Sequence, residues 1–234
     1  MKRFRVWRIV MVLAVFVRWP VALAQCPPPP PAAENPMVRF EVVQPRLIYR
    51  HDLDLLGLAG FSDTFETPAE GGVVLGLTRR NDSFSIATRV VASKIAGGRS
   101  CIWVAEVDAQ LGGSDMDVYV ASNYPVGSCE YDQVMAHENA HVAINNSVLE
   151  AYAPRIGAKL REAVHHFPLV TNNISDGKRV PGLLTEQIKP IYDAMIAELR
   201  RRNHALDTPE SYRKSQDQCH NWFPPGTRLP SKRR

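Results

Sequence analysis

No apolar run at the start of the 234-residue chain is long enough to cross a bilayer: the stretch from Ile9 to Val17 is followed at once by Arg18 and Pro20. No acidic residue accompanies Lys2, Arg3, Arg5 and Arg8 ahead of it, and Ala22-Leu23-Ala24 comes after it. A basic start, a short apolar centre and a small-x-small site are the layout of a secretory signal. Residues 1–24 are therefore expected to be a signal peptide, with the mature chain beginning at Gln25 and no stable membrane anchor after its removal. Acylation at Cys26 is disfavoured, because Gln25 stands where a lipoprotein signal needs a small residue.

Basic excess is also missing once that segment is set aside. Five of the 28 basic residues and none of the 24 acidic ones lie within it, so the formal charge falls from +4 to −1. The sequence pI of about 8.9 belongs largely to the leader and gives no support to a nucleic-acid or membrane-surface partner. There is no CxxC pair among Cys26, Cys101, Cys129 and Cys219, which argues against cysteine as a metal ligand. In an oxidising compartment four cysteines allow three pairings. The expected one is Cys101–Cys129, tying a strand to the entry of a helix, with Cys26–Cys219 fastening the ends. A periplasmic or secreted location follows from the leader and these cysteines together.

Internal repeats are absent, and about 210 residues suffice for one domain with a sizeable core. The expected organisation is a proline-rich linker at 25–37, containing five consecutive prolines from Pro27 to Pro31, one domain at 38–223, and a basic tail at 224–234. From Val38 to Ala121 the pattern is strand-like. Val38, Phe40 and Val42 alternate with polar residues, Phe84 and Ile86 do likewise, and Cys101–Val107 and Met116–Val120 flank a Gly112-Gly113-Ser114-Asp115 turn that reads as a hairpin. Residues 50–80 show little periodicity beyond a short strand-like run at Val73–Leu77.

After Cys129 the period becomes helical. Tyr131, Met135, Glu138, Val142, Leu149, Tyr152, Ile156 and Leu160 share one face, with Pro154 expected to kink or break the helix. A second helix is expected from about Leu183 to Asn203, with Ile188, Ile191, Met195 and Leu199 as its core stripe. A third is expected from Thr208 to about Cys219, entered through a capping box of Asp207 and Glu210. The fold class is α+β: an antiparallel β-sheet layer, a long helix, an antiparallel second helix and a short C-terminal helix.

The chemistry lies on the long helix. His137 and His141, four residues apart, project from one face, close enough for both imidazoles to reach one tetrahedral zinc ion. Glu138 follows the first histidine and falls beside the metal's open position, where it can take a proton from a water that zinc has acidified. The expected site is thus His137 and His141 as metal ligands, Glu138 as the catalytic base and Zn2+ as the cofactor.

The segment His137-Glu138-Asn139-Ala140-His141 resembles the zincin metallopeptidases. With Ser128-Cys129-Glu130-Tyr131-Asp132 before it, it resembles more narrowly the bacterial proteins described as predicted secreted zinc-dependent proteases. That resemblance, strongest from Cys101 to Leu149, implies a minimal zincin-like domain with a strand layer packed on the zinc helix. It also implies a peptide or protein substrate. The metzincin pattern is excluded, since Ile144 and Ser147 stand where it requires glycine and histidine. A thermolysin-like glutamate motif has no clean match; Glu162 stands near the spacing for one, but it can reach the histidines only if Pro154 ends the helix, since on a continuous helix it lies too far along.

If the second helix folds back antiparallel, its C-terminal end comes level with the histidines, and the candidates for a third ligand are Asp207, Glu210 and His204, the acidic pair being preferred. Tyr212, His165, His166 and His220 have the chemistry of a transition-state donor. The expected function is a secreted or periplasmic zinc hydrolase, foremost a metallopeptidase. A non-catalytic zinc-binding envelope protein and a hydrolase of cell-wall amides are the alternatives.

Overall fold

The computed structural model describes residues 25–62, 73–80, 83–113, 115–223 and 227, so the expected leader and most of the expected basic tail lie outside the described residues. The fold is α+β. The order is α1 (Pro31–Glu34), β1 (Met37–Val43), β2 (Arg46–Arg50), α2 (Leu55–Ser62), β3 (Gly76–Arg80), β4 (Ser83–Lys94), β5 (Ser100–Gly112), β6 (Asp115–Val120), α3 (Cys129–Ala163), β7 (Leu169–Thr171), α4 (Val180–Leu206) and α5 (Pro209–Gln216).

Two sheets form, and both are mixed where an antiparallel layer was expected. In the larger, β5 is flanked by parallel β1 and antiparallel β4, with β7 pairing to its first residues; in the smaller, β6 is flanked by parallel β2 and antiparallel β3. The expected hairpin is absent: β5 and β6 run end to end through the Gly112 joint, one in each sheet. Met37 pairs with Glu106 and Arg46 with Asp115, so the offset of 69 residues carries unchanged from one sheet to the next. The two sheets are one three-stranded ribbon interrupted at a joint. Gly112 makes that joint, with a φ of +124° and a backbone so close to Val43 that an added Cβ would lie 2.2 Å from its carbonyl oxygen.

Alternation along the strands sends Val38, Phe40, Phe84, Ile86, Ile102, Val104 and Leu111 to the face covered by α3 and α4. The helices contribute Val148, Leu149, Ile156 and Leu160, and Leu184, Ile188, Met195 and Leu199. The opposite face carries exposed cross-strand ion pairs, Arg39 with Asp108 and Arg89 with Glu106, each of which adds little stability. A second core around Leu55, Leu58, Tyr124, Val134 and Trp222 packs the smaller sheet against the start of α3.

α3 is one unbroken helix of 35 residues. Ser128 caps it by accepting a hydrogen bond from Tyr131 N (3.2 Å), and Glu130 and Asp132 complement its N-terminal dipole. Pro154 neither ends nor breaks it: both the proline and Glu150, whose carbonyl loses its helical partner to the proline, are exposed residues. Pro190 is exposed within α4 in the same way.

The disulfides are Cys26–Cys101 and Cys129–Cys219, which replaces the expected pairing. Cys101 opens β5 at the end of the ribbon paired to β7, whereas Cys129 begins α3 beyond the far end of β6, so the two cannot meet. Cys26 instead holds the proline-rich stretch against β5, burying Ala33 beside Trp103.

Candidate metal centre

The third and fourth turns of α3 carry His137 and His141, on the side that faces the end of α4. α4 runs antiparallel to α3 and stops at Leu206, which delivers Asp207 to the two imidazoles. Asp207 is not the cap of α5, contrary to expectation. Thr208 is, accepting from Ser211 N (3.2 Å), and this shift of one residue leaves the Asp207 carboxylate free for the site.

Asp207 Oδ1 lies 2.9 Å from His137 Nε2 and 3.1 Å from His141 Nε2, and the two nitrogens are 3.2 Å apart. Ligand atoms around a tetrahedral ion at 2.0–2.1 Å stand about 3.3 Å from one another, so the triangle matches one face of such a shell. Among the described residues these three form the group able to hold a metal ion. Two imidazoles and one carboxylate are borderline-to-hard donors suited to zinc. Of the other candidates, His204 is exposed, Glu210 pairs with Lys214 on the outer face of α5, and Glu162 pairs with Lys159 near the far end of α3.

Two neighbours extend the triad. Tyr212 on α5 donates its hydroxyl to Asp207 Oδ1 (3.0 Å) and lays its ring against His137, the centroids 5.1 Å apart. His165, His166 and His220 are exposed away from the triad. Asn203, one turn before Asp207, places Oδ1 2.9 Å from His141 Nδ1.

Glu138 is 4 % exposed, and its Oε2 accepts from Thr78 Oγ1 at 2.8 Å. The edge strand β3 reaches it only because residue 76 is glycine: a Cβ there would lie 2.6 Å from Val134 Cγ1 and 2.7 Å from Glu138 Oε1. Between β3 and α5 a narrow cleft opens beside His137 and Glu138, walled by Leu75, Val134, Tyr212 and Trp222.

The charges are strongly coupled. Burial pushes the Glu138 carboxyl up, against the opposing pull of His141 and Thr78. For Asp207 burial acts in the same direction, but the hydrogen bonds from His137 and His141 outweigh it and hold the carboxyl well below its usual range. Burial alone would lower His141; Asp207 and Glu138 reverse that and raise it to about 9. Tyr212 is raised by burial and by the Asp207 charge.

Comparison with models of known protein families, with curated proteins and with solved structures finds no match to this chain. The site therefore rests on its own geometry. Thr78, Gly76 and Asn203 carry no motif in the sequence. One signal points to Asn203: it stands four residues before Asp207, the spacing that separates His137 from His141.

Proposed function

We propose that the protein is a zinc-dependent hydrolase acting outside the cytoplasm, and that its reaction is cleavage of peptide or protein substrates. The observation that carries this reading is the convergence of His137 Nε2, His141 Nε2 and Asp207 Oδ1 within 3.2 Å of one another, with buried Glu138 one residue from the first of them. No described helix is long and apolar enough to cross a membrane, and two disulfides fit an oxidising compartment.

His137, His141 and Asp207 would hold the zinc. When bound, zinc supplies Lewis acidity that polarises an amide carbonyl and lets water act as a nucleophile near neutral pH. Glu138 takes the proton from the attacking water and returns it to the departing amine, a shuttle that a carboxyl of raised proton affinity performs well. Thr78 fixes the orientation of that carboxylate through its hydroxyl. Tyr212, kept protonated by its surroundings, spends its hydroxyl proton on Asp207 Oδ1 and so holds that carboxylate in place for the metal.

The test compares zinc content and cleavage of an unfolded protein substrate for the wild type and Glu138→Gln. The variant is expected to keep its zinc and lose at least about 100-fold in kcat, the scale of general-base catalysis. A wild type that binds stoichiometric zinc but cleaves neither protein nor cell-wall amide substrates would identify a non-catalytic zinc-binding protein instead.

A further inference from the structure

We infer that Asn203 is a positioning residue that sets the tautomer of His141 and thereby the affinity of the metal centre; this rests on the reading of His137, His141 and Asp207 as metal ligands. A neutral imidazole carries one N–H, and only the nitrogen without it can bind a metal. The Nε2 atom of His141 is the one aimed at Asp207 and His137, so when a metal takes the place of the proton on it, the remaining proton resides on Nδ1. Nδ1 faces Asn203 Oδ1 at 2.9 Å, where it donates a hydrogen bond.

The direction of that bond is set from further out. With its oxygen turned toward His141, Asn203 presents its amide nitrogen to Asn145 Oδ1, 3.4 Å away on α3. Asn145 is 6 % exposed, and its backbone carbonyl accepts in turn from Arg80 on β3 (3.3 Å). A half-buried amide whose donor and acceptor ends both have partners has a favoured orientation, and here that orientation keeps a proton on Nδ1 and makes Nε2 the nitrogen able to bind a metal. Asn203 and Asn145 also sit on different helices, so the chain of bonds ties the end of α4 to α3 beside the histidine it orients.

Asparagine contributes this without a charge. A carboxylate at the same place would strengthen the donor bond and make the imidazole a better ligand, while an aliphatic side chain would leave Nδ1–H without an acceptor and let the ring rotate or change tautomer. The aliphatic replacement therefore lowers metal affinity, and the carboxylate keeps or raises it. Disruption of packing alone would move both downward.

The measurement is zinc affinity by chelator competition on wild type, Asn203→Leu and Asn203→Asp, each first shown to be folded without metal by circular dichroism. The visible spectrum of the Co2+-loaded protein reads the ligand shell directly. Asn203→Leu is expected to bind zinc 10- to 100-fold more weakly and to change the cobalt bands. Asn203→Asp is expected to bind as well as wild type or more tightly, with the bands retained. Equal affinity in folded Asn203→Leu and wild type overturns the inference, as does an equal loss in both variants. Absence of zinc binding by the wild type would instead remove the metal centre itself, an outcome distinct from both.

Discussion

Asp207 holds the site together at the scale of single residues, because one oxygen meets both imidazoles and the Tyr212 hydroxyl. Asp207→Ala is expected to lower zinc affinity by more than about 100-fold, since even outer partners of ligands are worth 10- to 100-fold. His204→Ala and Glu210→Ala should leave it unchanged, and a chelator titration of the three variants checks both halves. Thr78 acts one step from the chemistry proposed for Glu138, through its hydrogen bond to Oε2. Its loss in Thr78→Val should reduce kcat about tenfold at constant zinc content, as expected for a hydrogen bond to a charged group worth about 1.5 kcal/mol. Steady-state kinetics with metal analysis would separate that effect from loss of zinc. His137, Glu138 and His141 were legible because their relation is local, four residues on one helix. Asp207 needed the geometry of two helices to be placed among the candidates, and Thr78, 60 positions from Glu138, has no local signal at all.

The helices show the same division at the scale of elements. The core stripe of α4 through Ile188, Met195 and Leu199 was readable because a 3.6-residue period repeats along it. Pro154 misled, since its effect depends on whether its turn faces water or the core. Strand pairing was harder still: parallel partners 69 residues apart leave no turn to mark them, and the glycine joint at 112 resembles a hairpin turn. α2 was missed because Leu55–Ser62 has almost no apolar–polar periodicity. Gly112→Ala tests the joint. It should destabilise the fold by about 1–3 kcal/mol or more, from the positive φ and the collision with Val43, read as a lower urea midpoint.

Across the whole molecule, the segment after α5 closes the site from outside. Cys129–Cys219 anchors it, Glu130 accepts from Asn221 N (2.7 Å), and Tyr124 donates to the Trp222 carbonyl at 2.9 Å. Burial, aided by the Glu130 charge, pushes the Tyr124 phenol up to about 12. Between pH 10 and 12 the folded chain keeps a proton that the unfolded chain has released, so this contribution is full below pH 10 and is lost as pH rises through 12. The stability advantage of wild type over Tyr124→Phe should therefore shrink across that interval, a trend that urea melts at stepped pH would follow.

The unbroken offset along the ribbon has a consequence for how this chain can vary in length. Side chains alternate between the two faces, so one residue inserted in β5 or β6 would exchange inside for outside downstream of it. β3 would then meet β6 one step out of phase, and Thr78 would no longer stand at Glu138. The ribbon thus behaves like a reading frame, in which a single insertion needs a matching one in its neighbours or a bulge of the kind β5 already makes opposite Arg89 and Val90. The turn at Ile174–Arg179, between the two long helices, is not read against any such frame, and it is the place where added length would leave His137, His141 and Asp207 in register.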